Sequence, residues 1–83
     1  MYQERRYQMS AQFKNPDLRD DVYGRMAGHY RAIGIPPVEH VKKENGGALH
    51  LSAEAVDLLT RAIEAAQHKH SNTRVRLSKI NGK

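Results

Sequence analysis

Apolar residues recur at helical spacing in two stretches of the chain. In the first stretch the intervals are three or four residues, which gives one apolar face on a helix. Asn15 suits the N-cap and Pro16 the first helical position, while Gly34 suits the left-handed residue that ends a helix. The pattern predicts a helix over about residues 16–33. Its apolar face consists of Leu18, Val22, Met26, Tyr30 and Ile33.

The second stretch begins after a turn signal, ENGG, and a short β-capable segment, ALHL. Ser52 stands where an N-cap is expected, and the pattern predicts a second helix over about residues 53–68. The same spacing continues to residue 80, and a helix of that length would extend about 42 Å. A short chain cannot cover such a helix alone, so a partner along its length is expected. The stripe is Val56, Leu59, Ile63, Ala66, His70, Thr73, Leu77 and Ile80.

A competing pattern begins near residue 73. In TRVRLSKI, Thr73, Val75 and Leu77 alternate with polar residues at period two, which predicts a strand over 73–80. Residues 1–14 show no firm period and indicate a flexible arm, or a segment that orders on a partner, before a single small helical domain over 15–83. We therefore expect a mostly α fold with two main helices, and an α+β fold with a C-terminal strand as the runner-up.

Charge and composition narrow the function classes. The 83 residues carry 14 Lys and Arg against 9 Asp and Glu, a formal net charge of +5. Basic groups near both ends predict contacts with phosphates or with an acidic protein surface. There is no cysteine, so disulfides and thiolate metal sites are excluded. The candidate contact residues are Arg5, Arg6, Lys69, Arg74, Arg76, Lys79 and Lys83.

Catalytic and cofactor motifs are not found in the sequence. The five histidines lack metal-ligand spacing, and ENGGA lacks the lysine of a phosphate-binding loop. Ser52 lies near His50, but helix capping explains it better than nucleophilic chemistry. No apolar run approaches the length of a membrane helix. We expect an intracellular, non-enzymatic protein without metal, cofactor or small-molecule substrate.

Parts of the two helical stretches resemble a known family. GRMAGHYRAIGI and LSAEAVDLLTRAIEAAQHK look like the histone-fold segment of the adaptor subunit of SAGA-type coactivator complexes. The resemblance implies a short helix before a long central helix that pairs with a partner histone-fold protein. The residues that carry it are Gly24, Arg25, Met26, Tyr30, Gly34, Ile35, Ser52, Glu54, Ala55, Val56, Leu59, Ala62, Glu64 and Lys69.

Three functional hypotheses follow. The leading one is a small basic subunit that docks through helix faces and basic ends onto an acidic partner, a nucleic acid or a ribonucleoprotein assembly. The alternatives are a small dimeric regulator or inhibitor of phage or plasmid type that binds another protein, and a histone-fold-like heterodimerisation module of a transcription complex. The expected partner interface is Met26, Tyr30, Val56, Leu59, Ile63, Ala66, Leu77 and Ile80.

Overall fold

The computed structural model describes residues 6–80, which form an α+β domain. Short 3-10 turns at Pro37–Glu39, Asn45–Gly47, Ala53–Ala55 and Gln67–Lys69 lie between the main elements. The main elements in chain order are β1 (Met9–Phe13), α1 (Pro16–Ala32), β2 (Val41–Glu44), β3 (Ala48–Leu51), α2 (Val56–Ala66) and β4 (Val75–Lys79).

The four strands form one antiparallel sheet in the order β2-β3-β1-β4. This order, with a helix after β1 and another after β3, is the split βαβ arrangement of ferredoxin-like topology. Alternate strand residues point inward to a core shared with both helices. Within residues 6–80 no helix packs on the opposite face of the sheet, which is called here the outer face. On the two central strands the outer face consists of Ser10, Gln12, Ala48 and His50.

The mostly α prediction is wrong, and the α+β runner-up matches the structure. The second helix does not run to residue 80: α2 ends at Ala66, a single 3-10 turn follows, and β4 begins at Val75. Ser71, Asn72 and Thr73 are weak helix formers, whereas β1 offers a free edge with which β4 can pair. The long central helix implied by the histone-fold resemblance is therefore not formed.

The predicted flexible arm is also corrected within the described residues. Met9, Ala11 and Phe13 alternate with polar residues, and this segment forms β1, which pairs on both sides. Its burial between β3 and β4 keeps Ala11 at 0% exposure. Residues 1–5 of the arm lie outside the described part of the chain.

Helix α1 confirms the local prediction. The Asn15 side chain accepts a hydrogen bond from the Asp17 N–H, Pro16 opens the helix, and Gly34 follows it at φ 81°. The predicted apolar face is buried except at its last position, since Ile33 is 55% exposed beyond the end of the helix.

The 3-10 turn Ala53–Ala55, which leads into α2, is held differently from the prediction. Ser52 lies at the N-cap position of this turn, but its hydroxyl makes no capping hydrogen bond. Instead Gln8, at the approach to β1, accepts the Ala53 N–H through its Oε1 at 2.8 Å. The Ser52 hydroxyl lies 2.7 Å from His40 Nδ1, beside the β2–β3 hairpin.

The turn between β2 and β3 is held in place from two sides. Arg19 of α1 donates through Nη1 to the carbonyls of Glu44 and Ala48, at 2.7 and 3.0 Å. On the other side Gly47, at φ 80°, lies so close to β1 that a Cβ there would be 2.8 Å from the Phe13 carbonyl oxygen. The ENGG turn signal is confirmed, and the turn lies against the end of β1.

Candidate nucleic-acid interface

The end of β1 and the beginning of β4 bring distant basic residues together. Lys14 directly follows β1, and its N–H donates to the Arg74 carbonyl at 3.3 Å, just before β4. Continuing the register, Gln12 is paired with Arg76. Because paired residues share a face of the sheet, Gln12, Lys14, Arg74 and Arg76 all lie on the outer face.

These residues line an open groove of about 580 Å³. The turn between β2 and β3 closes one side of it, where Gln12 Nε2 donates to the Gly46 carbonyl. This contact joins the groove wall to the turn that Arg19 and Gly47 hold in place. The residues between 6 and 80 that line the groove include no carboxylate: they are Gln12, Phe13, Lys14, Gly46, Arg74, Val75 and Arg76.

The three basic residues of the groove, Lys14, Arg74 and Arg76, differ in their ion pairing from several other basic residues of the chain. Lys42 is paired with Glu44, and Arg25 with Asp21. Within residues 6–80, by contrast, no carboxylate forms an ion pair with Lys14, Arg74 or Arg76, and all three side chains are exposed. The groove is therefore a site of uncompensated positive charge.

The predicted basic contact residues do not form one cluster. Arg74 and Arg76 lie in the groove, as a strand at this position requires. Lys79 alternates to the helix side of β4, and Lys69 ends the 3-10 turn after α2. Arg6 precedes β1, while Arg5 and Lys83 lie outside the described residues. Lys14 was not among the predicted contacts, although the period-two alternation of MSAQF before it is the signal that would have indicated a strand.

The predicted partner interface is largely used by the chain itself. Met26, Tyr30, Leu59 and Ala66 are buried in the core, so they are not accessible to a partner. Val56, Ile63 and Ile80 are half-buried. Leu77 is 42% exposed and is the most accessible member of the set.

Two histidine contacts connect elements of the fold. His40 stacks on Tyr30, with ring centroids 4.7 Å apart, and bonds the buried Ser52 hydroxyl. Burial, together with the charge of Glu54, raises the pKa of Tyr30. His70 Nε2 lies 3.0 Å from Asp21 Oδ2 and joins the segment after α2 to α1. The ring nitrogens His40 Nδ1 and His70 Nε2 thus each have a partner within the domain.

Two further features bear on function. Among residues 6–80 no three His, Cys, Asp or Glu side chains are grouped as a metal ion would require. In the same part of the chain no helix has the length and apolar character needed to cross a bilayer.

Comparisons with protein family models, curated proteins and solved structures give no match.

Proposed function

We propose that this protein is a non-enzymatic module that binds nucleic acid through the phosphate backbone. The observation that supports this most directly is the groove itself. Lys14, Arg74 and Arg76 come from two distant segments, line one open surface and have no carboxylate partner among the described residues. An arrangement of this kind suits a ligand that carries regularly spaced negative charges.

The chemistry of the groove suits phosphate oxygens. The arginines can offer paired N–H donors, and Lys14 adds a mobile point charge. Gln12 adds an amide beside them, although its Nε2 is already bonded to the turn. Phosphate contacts of this type supply affinity and position but carry little sequence information.

The outer face also argues against strong reading of bases. None of its four central positions, Ser10, Gln12, Ala48 and His50, is a Phe, Tyr or Trp that could act as a stacking platform. Tyr7, whose ring lies 6.5 Å from that of His50, is tied to the Val38 carbonyl through its hydroxyl. Base stacking on aromatic rings is the usual source of affinity for bases splayed on a sheet. We therefore expect binding to depend strongly on salt and weakly on sequence.

The test is a fluorescence anisotropy titration of labelled single- and double-stranded oligonucleotides at several salt concentrations. Three phosphate contacts predict a log–log slope of about −2 for a single strand and about −3 for a duplex. The double variant Arg74→Ala/Arg76→Ala should reduce the magnitude of the slope by about 1.4 for a single strand, because two contacts are lost. Lys14→Ala should have about half that effect.

The matched control removes the same charge elsewhere. Arg31 and Arg61 are exposed on α1 and α2, away from the groove lining. Arg31→Ala/Arg61→Ala should leave most of the affinity in place. An equal loss in both double variants would show that only net charge matters and would refute the groove. If a polyglutamate peptide bound as tightly as an oligonucleotide of equal charge, the groove would instead be assigned to acidic proteins.

A further inference from the structure

Strand β4 lies at one edge of the sheet. It pairs with β1 on one side, and no strand within residues 6–80 pairs with its other, free edge. Backbone groups of the even-numbered residues face β1: the Arg74 carbonyl accepts from Lys14, and the Ile80 N–H donates to Gln8. In an antiparallel ladder the bonding direction alternates along the strand. The N–H and C=O groups of Val75, Leu77 and Lys79 therefore point away from the sheet.

The side chain at the middle of this edge is apolar. Leu77 is 42% exposed and is one of three large apolar residues in the described part of the chain with this much exposure. Basic residues flank it on both sides, and such charges commonly protect an edge against unspecific pairing. The same basic residues also restrict the registers in which a partner strand can pair with this edge, because like charges set opposite each other are destabilising.

We infer that the edge of β4 pairs with the β4 strand of a second copy of this chain, in antiparallel register about a two-fold axis at Leu77. This register sets Leu77 against its symmetry mate and Val75 against Lys79 of the second copy. The residues whose N–H and C=O groups point away from the sheet, Val75, Leu77 and Lys79, then all form hydrogen-bonded pairs between the two copies. The product is one continuous sheet made from both copies.

Charge selects this register over its neighbours. With the axis at Leu77, each Arg76 faces an uncharged Ser78, and each Arg74 faces an Ile80. Moving the axis one residue toward the N-terminus sets Arg76 directly against Arg76, and like charges opposite each other are destabilising. Moving it one residue toward the C-terminus sets Leu77 against the charged Lys79 instead of against its symmetry mate, so the apolar contact at the axis is lost.

The pairing and the groove share β4, but added salt should affect them in opposite directions. In the proposed register Arg76 and its mate are diagonal neighbours about 7–8 Å apart on the outer face. They repel each other, and so do the two chains at +5 each. Added salt should therefore strengthen the dimer, whereas it should weaken nucleic-acid binding.

Oxidative cross-linking gives a direct test, because the chain contains no cysteine of its own. Hydrogen-bonded antiparallel pairs have Cα atoms about 5.5 Å apart, which is within the range of a disulfide. Leu77→Cys should form a covalent dimer rapidly under mild oxidation. Val38→Cys, at an apolar position of similar exposure outside the sheet, is the collision control. Equal rates for the two variants would overturn the inference.

Sedimentation equilibrium over a concentration series supplies a second, non-covalent measurement. Leu77→Lys should weaken the dimer by about tenfold or more, because two like charges then face each other at the axis. Val38→Lys should leave it unchanged. A wild-type chain that stays monomeric at every concentration, or a Leu77→Lys dimer as tight as the wild type, would show that β4 is not the interface. Circular dichroism confirms that each variant is folded.

Discussion

The two glycines of the β2–β3 turn provide a sharp test of how the groove is supported. Gly46 and Gly47 both have positive φ, at 73° and 80°. They differ in their surroundings: a Cβ on Gly46 would meet nothing within 4 Å, whereas one on Gly47 would lie 2.8 Å from the Phe13 carbonyl oxygen. Alanine at either position therefore adds similar backbone strain, but only Gly47→Ala also adds a close contact.

The expected magnitudes follow from these two differences. An alanine at positive φ costs about 1–2 kcal/mol, which is the whole expected effect of Gly46→Ala. In Gly47→Ala the backbone of β1 or of the turn must also move, and forced repacking of this kind adds about 1–3 kcal/mol. We expect Gly47→Ala to destabilise the fold by about 2–5 kcal/mol, and the pair to differ by about 1–3 kcal/mol.

The assay is urea unfolding followed by far-ultraviolet circular dichroism, with thermal unfolding as a second measure. In a domain of this size each 1 kcal/mol corresponds to about 4–8 °C in Tm. Gly47→Ala should also weaken oligonucleotide binding, since the turn that it displaces forms one side of the groove. If both variants lost the same stability, the close approach of Gly47 to β1 would not be an energetic constraint, and the reasoning would be refuted.

Three further perturbations test contacts between elements. Arg19→Met should cost about 2–4 kcal/mol in urea unfolding, because two carbonyls beside the turn lose a charged donor; a cost no larger than that of a surface substitution would contradict this. The His70 hydrogen bond, aided by Arg25, holds the pKa of Asp21 below its ordinary value. The stabilisation from this hydrogen bond is therefore fully present only well above the ordinary aspartate pKa of 3.8, and it is lost as the pH falls through the lower folded-state pKa. The stability difference between wild type and Asp21→Asn should shrink over that acid range, and a constant difference would argue against the pairing. Gln8→Ala should cost about 1 kcal/mol and increase amide exchange at Ala53, in the 3-10 turn before α2, whereas unchanged exchange would mean that Gln8 does not cap this turn.

Local signals account for the parts of the fold that could be predicted. The cap, the apolar spacing and the terminating glycine of α1 all lie within the helix or next to it, and each acts through contacts a few residues apart. The turn at Asn45–Gly47 was likewise predictable from its own glycines. That Arg74 and Arg76 share one face of the sheet followed directly once the C-terminal segment was treated as a strand.

The assignment of that segment to a strand depended on the rest of the chain. Leu77 fits the helical spacing together with Ile80 and also the strand alternation together with Thr73 and Val75, and the edge of β1 decides between the two by offering backbone partners. β1 in turn is a strand because β3 and β4 cover it on both sides. Lys14 reaches the groove only through this pairing. The sequence by itself determined α1, the turn and the basic character of the chain, since these depend on neighbouring residues and on composition. Only the tertiary structure decided the sheet and the groove, because hydrogen bonds between distant strands select one of two periods that the same residues satisfy.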